Sequence, residues 1–488
     1  MGGSGVDAVV VGAGPNGLTA AAVLARAGRR VLVLERNPTI GGGAATWTWE
    51  PHGVRIDHCS AVHPFGAASP AFADLGLADH GLAWVHPEVP LAHPHDDGTA
   101  LAVQRDLDAT ADQLGPDAAA YRRLMAPLVA RWDGVAATSL APVLGVPRHP
   151  LVAARFGLVG VRGVAGLARR RFTTPAGQAV LAGHAAHSCI RLDHPLTAGL
   201  GLSLGLAAHA VGWPLARGGS QAVAEALAAV VRAHGGEIRC GVEVRSLAEL
   251  PPARDVLLDV TPPQFLALAG PRLSGRAARP YRRWRLGAGV CKVDYVLSEP
   301  VPWTAAACRR AGTVHVGGTL AEIAASEAAV VAGRHPERPF VLVAQPTVVD
   351  PGRAPAGVHV LWAYSHVPNG SDADVSPQIE AQIERFAPGF RDVIVDRRVR
   401  TAARTPADNP SMPGGDLAGG SLDGLQLLAR PRMSPHPWRT PVPGVRLCSG
   451  ATAPGPGVHG MPGWYAAHDA LGLRPPWGPR DPRRAPGA

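Results

Sequence analysis

The chain has 488 residues, 46% hydrophobic and 17% charged, too apolar for a disordered chain, and its 59 glycines and 48 prolines stay short of a low-complexity composition. Six cysteines without a CxxC pair or zinc spacing exclude a disulfide scaffold and a dithiol centre, and fit a reducing cytoplasm. The net charge of +9 raises nucleic acid or an anionic membrane as partners, but scattered arginines and the lack of any recognition signature exclude nucleic acid.

Val6–Val11 is a short valine-rich run that reads as a buried strand, Gly17–Ala27 reads as a helix stopping at Gly28, and Val31–Leu34 is again a buried strand. Together they make a β-α-β unit. Asp108–Arg131 reads as helix broken at Gly115-Pro116, and the region to about Ser188 is helix-rich. Leu196–Ala216 carries no Asp, Glu, Lys or Arg over about a membrane span. Five glycine and proline interruptions make it a buried helix plus a strand entry, with spanning or shallow interfacial contact as the alternatives. Gln221–His234 is a helix, followed by strands at Glu237–Val244 and Val256–Val260. Strands are also predicted at Val290–Leu297, Phe340–Ala344, Val358–Ser365 and Val445–Ser449. Helices are predicted at Ile379–Phe386 and from the last Gly/Pro loop through Leu471, and the tail 475–488 reads as disordered. The glycine-rich start has no basic n-region, so no secretory signal is predicted.

The sharpest motif is Gly12-x-Gly14-x-x-Gly17, set between a strand and a helix. Gly12 permits a tight turn, Gly14 lets backbone approach a pyrophosphate, and Gly17 lets helix and strand pack closely. Pro15 and Asn16 lie inside the motif, where free N–H groups and the helix dipole favour phosphate. Glu35 ends the second strand, 18 residues after Gly17, followed by Arg36. A carboxylate there accepts hydrogen bonds from a ribose and repels a 2′-phosphate, which disfavours NADP. No second strand–GxGxxG–helix unit exists for a nicotinamide cofactor.

Gly41-Gly42-Gly43 follows closely, and GVRLCSGATAPGPGVHGMPGWYAAHDAL lies near the C-terminus. With WPLARGGSQAVAEAL, LLDVTPPQ and GVCKVDYVLSEPVPW between them, the chain resembles the phytoene dehydrogenase-like (carotenoid and retinoid oxidoreductase) family over nearly its whole length. The branch it most resembles is the pyridine nucleotide-disulphide oxidoreductase domain-containing protein 2 type. The resemblance implies FAD as cofactor, with Gly12, Gly14, Gly17 and Glu35 on the ADP half. Gly42 and Gly43 would lie along the diphosphate, and Val244 would contact adenine from a strand. Gly450, Gly457, Val458, His459 and Met461 would surround the flavin end. Two departures remove charged contacts: Gly43 stands where many phytoene desaturases have arginine, and Ser449-Gly450-Ala451 stands where amine oxidases often have Gly-Asp or Gly-Glu.

The resemblance also implies a fold: an α/β Rossmann-type FAD-binding domain of 1–75, 215–268 and 425–474. Residues 76–214 and 269–424 would form an inserted mixed-sheet and helical substrate domain.

Lys292 is the single lysine against 46 arginines. It resembles the amine-oxidase lysine that holds a water over flavin N5, and by i,i+2 alternation it also shares a strand face with Asp294. Lys292 and His459 are the catalytic candidates. His184 and His187 suit two metal ligands by spacing, but no third is evident, so no metal is expected. The reaction expected is dehydrogenation or desaturation of an apolar, isoprenoid-type molecule, with oxygen, a quinone or a protein carrier accepting the electrons. An amine oxidase, with Trp464 and Tyr465 as its aromatic cage, and a non-catalytic flavoprotein are the alternatives. Peripheral membrane contact would suit a lipidic substrate.

Overall fold

A computed structural model describes residues 5–475. Two sheets organise it. The first has five parallel strands in the order Val445–Leu447, Asp255–Leu258, Ala8–Val11, Val31–Leu34 and Glu237–Arg239. Its central strands are built mainly of valine and leucine because both faces are covered. Val10 and Val33 pack on the helices Pro15–Arg26, Gln221–Ala233 and Met461–Leu471, while Val9 and Leu32 pack on the opposite face with Phe265 and Tyr281. The crossovers return each strand parallel to its neighbour, which opens a crevice at the carboxyl ends of the strands.

The second sheet has seven strands, in the order Ile394–Arg400, Gly289–Leu297, His359–Val367, Val341–Ala344, Ala311–Val316, Val89–Pro94 and Ala100–Val103. Every pairing is antiparallel except Ala311–Val316 with Val89–Pro94. A helical layer that includes Ala118–Val129, Pro175–Ala186 and Thr197–Ala210 packs against it through Leu181, Leu202 and Leu206.

Most elements lie within a few residues of their predicted positions. The charge-free stretch from Leu196 is the helix Thr197–Ala210 followed by the short strand Leu215–Ala216. Among the described residues no single helix is long and apolar enough to cross a membrane. One bent pair, Pro150–Gly160 with Val164–Arg171, passes by length and composition together, with a 91° break. The predicted strand Glu237–Val244 is corrected. It ends at Arg239, because Gly241 takes φ 75° and turns the chain across the end of its neighbour. There Gly241 N–H donates to the Asn37 carbonyl and Val242 N–H to the Glu35 carbonyl. Of the predicted disordered tail, residues 476–488 lie outside the described residues.

Candidate functional site

A cavity of about 760 Å³ opens at the carboxyl ends of the parallel strands and runs to the second sheet. It is within the size range of small-molecule sites. At one end stands the glycine motif. Gly12 has φ 99°, which turns the chain out of its strand. A Cβ on Gly17 would lie 2.1 Å from the Gly12 carbonyl oxygen, so only glycine lets the helix start this close to the strand. Helix Pro15–Arg26 begins beside the cavity; Pro15 has no N–H and Gly17 N–H is taken by Asp259, which leaves Asn16 N–H in the first turn to face a ligand.

Glu35 lies in the same wall. One carboxylate oxygen accepts from Ala13 N–H at 2.7 Å and the other from Asn37 N–H at 2.8 Å. A carboxylate has about four acceptor positions, so two remain for vicinal hydroxyls. Arg36 donates to the Ala407 carbonyl at 2.7 Å, and Asn37 to that of Asp408 at 3.0 Å, which pins the 405–409 segment over the end of Val31–Leu34. Gly42, with φ 52°, lies so close to Gly14 that a Cβ would sit 3.2 Å from its Cα.

Pro15, Asn16, Gly43, Val244, Gly450, Gly457, Val458 and His459 also line the cavity. Val244 does so from the irregular segment after the turn at Gly241. Asn16 Oδ1 is buried and without a hydrogen-bond partner. A dinucleotide fits these features: a glycine cradle that a Cβ would fill, a helix N-terminus for the diphosphate, and a carboxylate with spare acceptors for the ribose.

Several candidates sit elsewhere. Met461 is fully buried and takes no part in the cavity wall; its N–H donates to His459 Nδ1 at 3.2 Å. The His459 ring is thereby a brace for the start of helix Met461–Leu471. Burial holds its pKa down at about 4, so it is neutral and has little proton to give near pH 7. Trp464 and Tyr465 do not form a cage. Trp464 Nε1 donates to Asp74 at 3.0 Å, and Tyr465 stacks on Trp438 with ring planes 4° apart, because this helix face is core. His184 Nδ1–H donates to the Val180 carbonyl at 2.7 Å, and His187 Nε2 lies 2.9 Å from His315 Nε2. Among the described residues no cluster of three or more His, Cys, Asp or Glu is placed to hold a metal ion.

Lys292 lies one layer behind the cavity wall. Its Nζ pairs with Asp294 and stands 5.5 Å from the Trp362 ring centroid. It borders a separate void of about 10 Å³, close to the volume of one water probe. Cys59, Trp362, Tyr364, Met412 and Leu417 separate that void from the main cavity, since they line both. Burial lowers the Lys292 pKa to about 8 against the opposing pull of Asp294.

Sequence reasoning missed Asp259 and Asn409. Asp259 accepts from Gly17 N–H at 2.9 Å and lines the cavity beside Gly14. Its signal was LLDVTPPQ, where an acid ends the strand next to the glycine motif. Asn409 Nδ2 lies near the double glycine, brought there by a fold-back with no local signature.

Residues 10–75 match the family model of the NAD(P)-binding Rossmann-like domain. The chain is 26% identical to pyridine nucleotide-disulfide oxidoreductase domain-containing protein 2 of Rattus norvegicus, over 95% of this chain and 92% of that protein. It is 39% identical to a limonene dehydrogenase chain of Castellaniella defragrans over a short segment, 22% of this chain and 19% of that protein. A structure of putrescine oxidase bound to putrescine superposes with a TM-score of 0.61 at 17% identity, covering 96% of this chain and 98% of that one. The chain thus has a Rossmann-type dinucleotide-binding domain joined to a mixed-sheet and helical domain, in the arrangement of flavin amine oxidase-like structures.

Proposed function

We propose that the chain is an FAD-dependent oxidoreductase that dehydrogenates or desaturates an apolar, isoprenoid-type small molecule. When bound, FAD supplies a two-electron acceptor that takes hydride at N5. Glu35 holds the adenosine ribose, the Gly12–Gly17 loop and Gly42-Gly43 receive the diphosphate, and the backbone at Val244 lies beside the adenine. Gly450, Gly457 and Val458 support the flavin end.

One observation carries the substrate class. Away from the glycine motif the cavity is lined by Leu140, Leu200, Leu204, Leu342, Trp362 and Tyr364, with His184, His187 and small polar residues but no carboxylate, lysine or arginine. Burial lowers the pKa of His184 to about 4 and of His187 to about 3, so both rings are neutral. Such a wall takes apolar surface and gives a charged substrate nothing to pair with. The limonene dehydrogenase match agrees with a hydrocarbon substrate. Amine oxidation is a second reading, favoured by the edge-to-face pair Trp362–Tyr364, 5.1 Å apart on the cavity wall. Lys292 would act on bound flavin through its charge from behind the wall formed by Trp362 and Tyr364, and electrons leave to oxygen, a quinone or a protein carrier.

Anaerobic mixing of the holoprotein with isoprenoid hydrocarbons, isoprenoid alcohols and primary amines tests the reading. Bleaching by an isoprenoid and not by amines is expected. Bleaching by amines alone overturns it, and bleaching by no candidate turns the reading toward a binding or regulatory flavoprotein. Readmitting oxygen then tests Lys292. Reoxidation should slow as pH rises through about 8, where the ammonium is lost. Lys292→Met should be slow at every pH; an unchanged rate removes the lysine from the reaction.

A further inference from the structure

A second cavity, of about 640 Å³, shares no lining residue with the first. One wall is helix Gly275–Arg282 and the residues just after it, anchored on the first sheet by the edge-to-face contact of Tyr281 with Phe265. The other wall runs from Leu425 to Met433. Gln426 joins the walls: its Oε1 accepts from Arg285 N–H at 2.9 Å, and its Nε2 donates to the Arg285 carbonyl at 2.8 Å. Behind them Trp284 Nε1 donates to the Gly419 carbonyl at 2.9 Å. The buried Arg430 donates to the carbonyls of Ala418 at 2.9 Å and Gly450 at 3.3 Å. Ala418, Gly419 and Gly450 line the cofactor cavity, so this loop divides the two cavities.

The lining is strongly cationic. Arg276, Arg283, Arg285 and Arg432 contribute to it, and no carboxylate does. Neither wall carries local compensation: no Asp or Glu stands between Asp259 and Asp294, or between Asp423 and Asp469. Arg285 pairs with Asp423, and among the described residues no carboxylate pairs with Arg276, Arg283 or Arg432. Four like charges around one space repel one another, and a bound anion turns that repulsion into attraction. Beside them Leu425 and Met433 are 72% and 54% exposed, and Trp284 adds an aromatic edge. Apolar side chains this open gain burial when a ligand with an apolar body covers them.

Size and charge set the ligand. The volume is that of a small-molecule site. A guanidinium fork takes two oxygens of one phosphate, so four arginines serve two phosphate groups. We propose that this cavity binds an organic diphosphate, its phosphates held among Arg276, Arg283, Arg285 and Arg432 and its apolar body laid on Leu425, Met433 and Trp284. The site is separate from the glycine motif and holds its ligand by arginine side chains instead of backbone N–H groups.

Calorimetric titration of the purified full chain, saturated with FAD, tests the proposal with geranyl diphosphate, ADP, inorganic pyrophosphate and geraniol. At least one of the two organic diphosphates should bind once per chain with a Kd below about 100 μM, and the tighter of them tells an aliphatic body from an aromatic one. Pyrophosphate and geraniol should each bind at least about tenfold more weakly, because each offers only part of the contacts. Arg283 is exposed, so Arg283→Gln should fold and weaken the organic diphosphate about tenfold. Arg283→Gln with Arg432→Gln should weaken it about 100-fold, with any flavin spectrum unchanged. No binding of either organic diphosphate at about 1 mM, equal binding by the Arg283→Gln chain, or pyrophosphate binding as tightly as the organic diphosphates overturns the proposal. Both arginines lie outside the cofactor cavity, so a loss caused by these substitutions reports this site whatever the bleaching experiment gives.

Discussion

Affinity for FAD should fall about 50-fold between pH 7 and pH 9 in the native chain and stay nearly level in Asp259→Asn. The reason is the place of Asp259. Its carboxylate accepts from Gly17 N–H and lies over Gly14, where the glycine loop would receive a diphosphate. Burial, with the Glu35 carboxylate adding to it, already raises the Asp259 pKa to about 7, against the pull of Gly17 N–H. A bound diphosphate adds negative charge beside it and raises that pKa further. The sign follows from linkage: the bound state holds a proton that the free state has lost above pH 7, so affinity drops about tenfold per pH unit there. Below pH 6 the carboxyl is protonated in both states and the affinity levels off. The side-chain amide of the variant keeps the shape and removes the titrating proton. A fluorescence titration of the apoprotein at four pH values measures it. A level native curve, or an equally steep Asp259→Asn curve, would remove Asp259 from the diphosphate site.

Gly463→Ala should destabilise the chain by about 3 kcal/mol, at the upper end of the usual cost of overpacking a core. Helices Pro15–Arg26 and Met461–Leu471 touch through this residue. A Cβ on Gly463 would lie 1.9 Å from the Asn16 carbonyl oxygen and 3.0 Å from Ala20 N, both backbone atoms that no side-chain rotation can clear. Relief requires the two helices to separate, which carries Pro15 and Asn16 out of the cavity wall. Cofactor affinity should therefore fall with stability. Gly157→Ala is the control. It lies in helix Pro150–Gly160, has φ below zero, and a Cβ there meets nothing within 4 Å. It should be neutral or stabilise by about 0.5–1 kcal/mol, the helix preference of alanine over glycine. Denaturant unfolding of both variants reads this out. Equal midpoints would mean that the two helices are not held at this distance in solution.

What was legible in the sequence was local. The β-α-β unit showed itself because strand, glycine motif, helix and Glu35 lie in one short run, each with its own physical signature. The pairing of Lys292 with Asp294 followed from strand alternation. What escaped depended on long-range return of the chain. Asp259 becomes part of the glycine motif only when Asp255–Leu258 pairs with Ala8–Val11. Asn409 reaches Gly42 through a fold-back held by Arg36 and Asn37. Local pattern also misled: alternation in GVEVRSL looks like a strand, but Gly241 ends the pairing before Val244. Trp464 and Tyr465 start a helix near the cavity, yet the period of that helix turns them into the core.

The central claim is that this glycine cradle and Glu35 hold FAD. Titration of the purified chain with FAD and with NADP⁺, followed by visible absorption and by heat, tests it most directly. One FAD should bind per chain with a flavin spectrum perturbed from that of the free cofactor, and NADP⁺ should neither bind nor compete. A protein that stays colourless and takes up no FAD, or one that binds NADP⁺ in its place, contradicts the account.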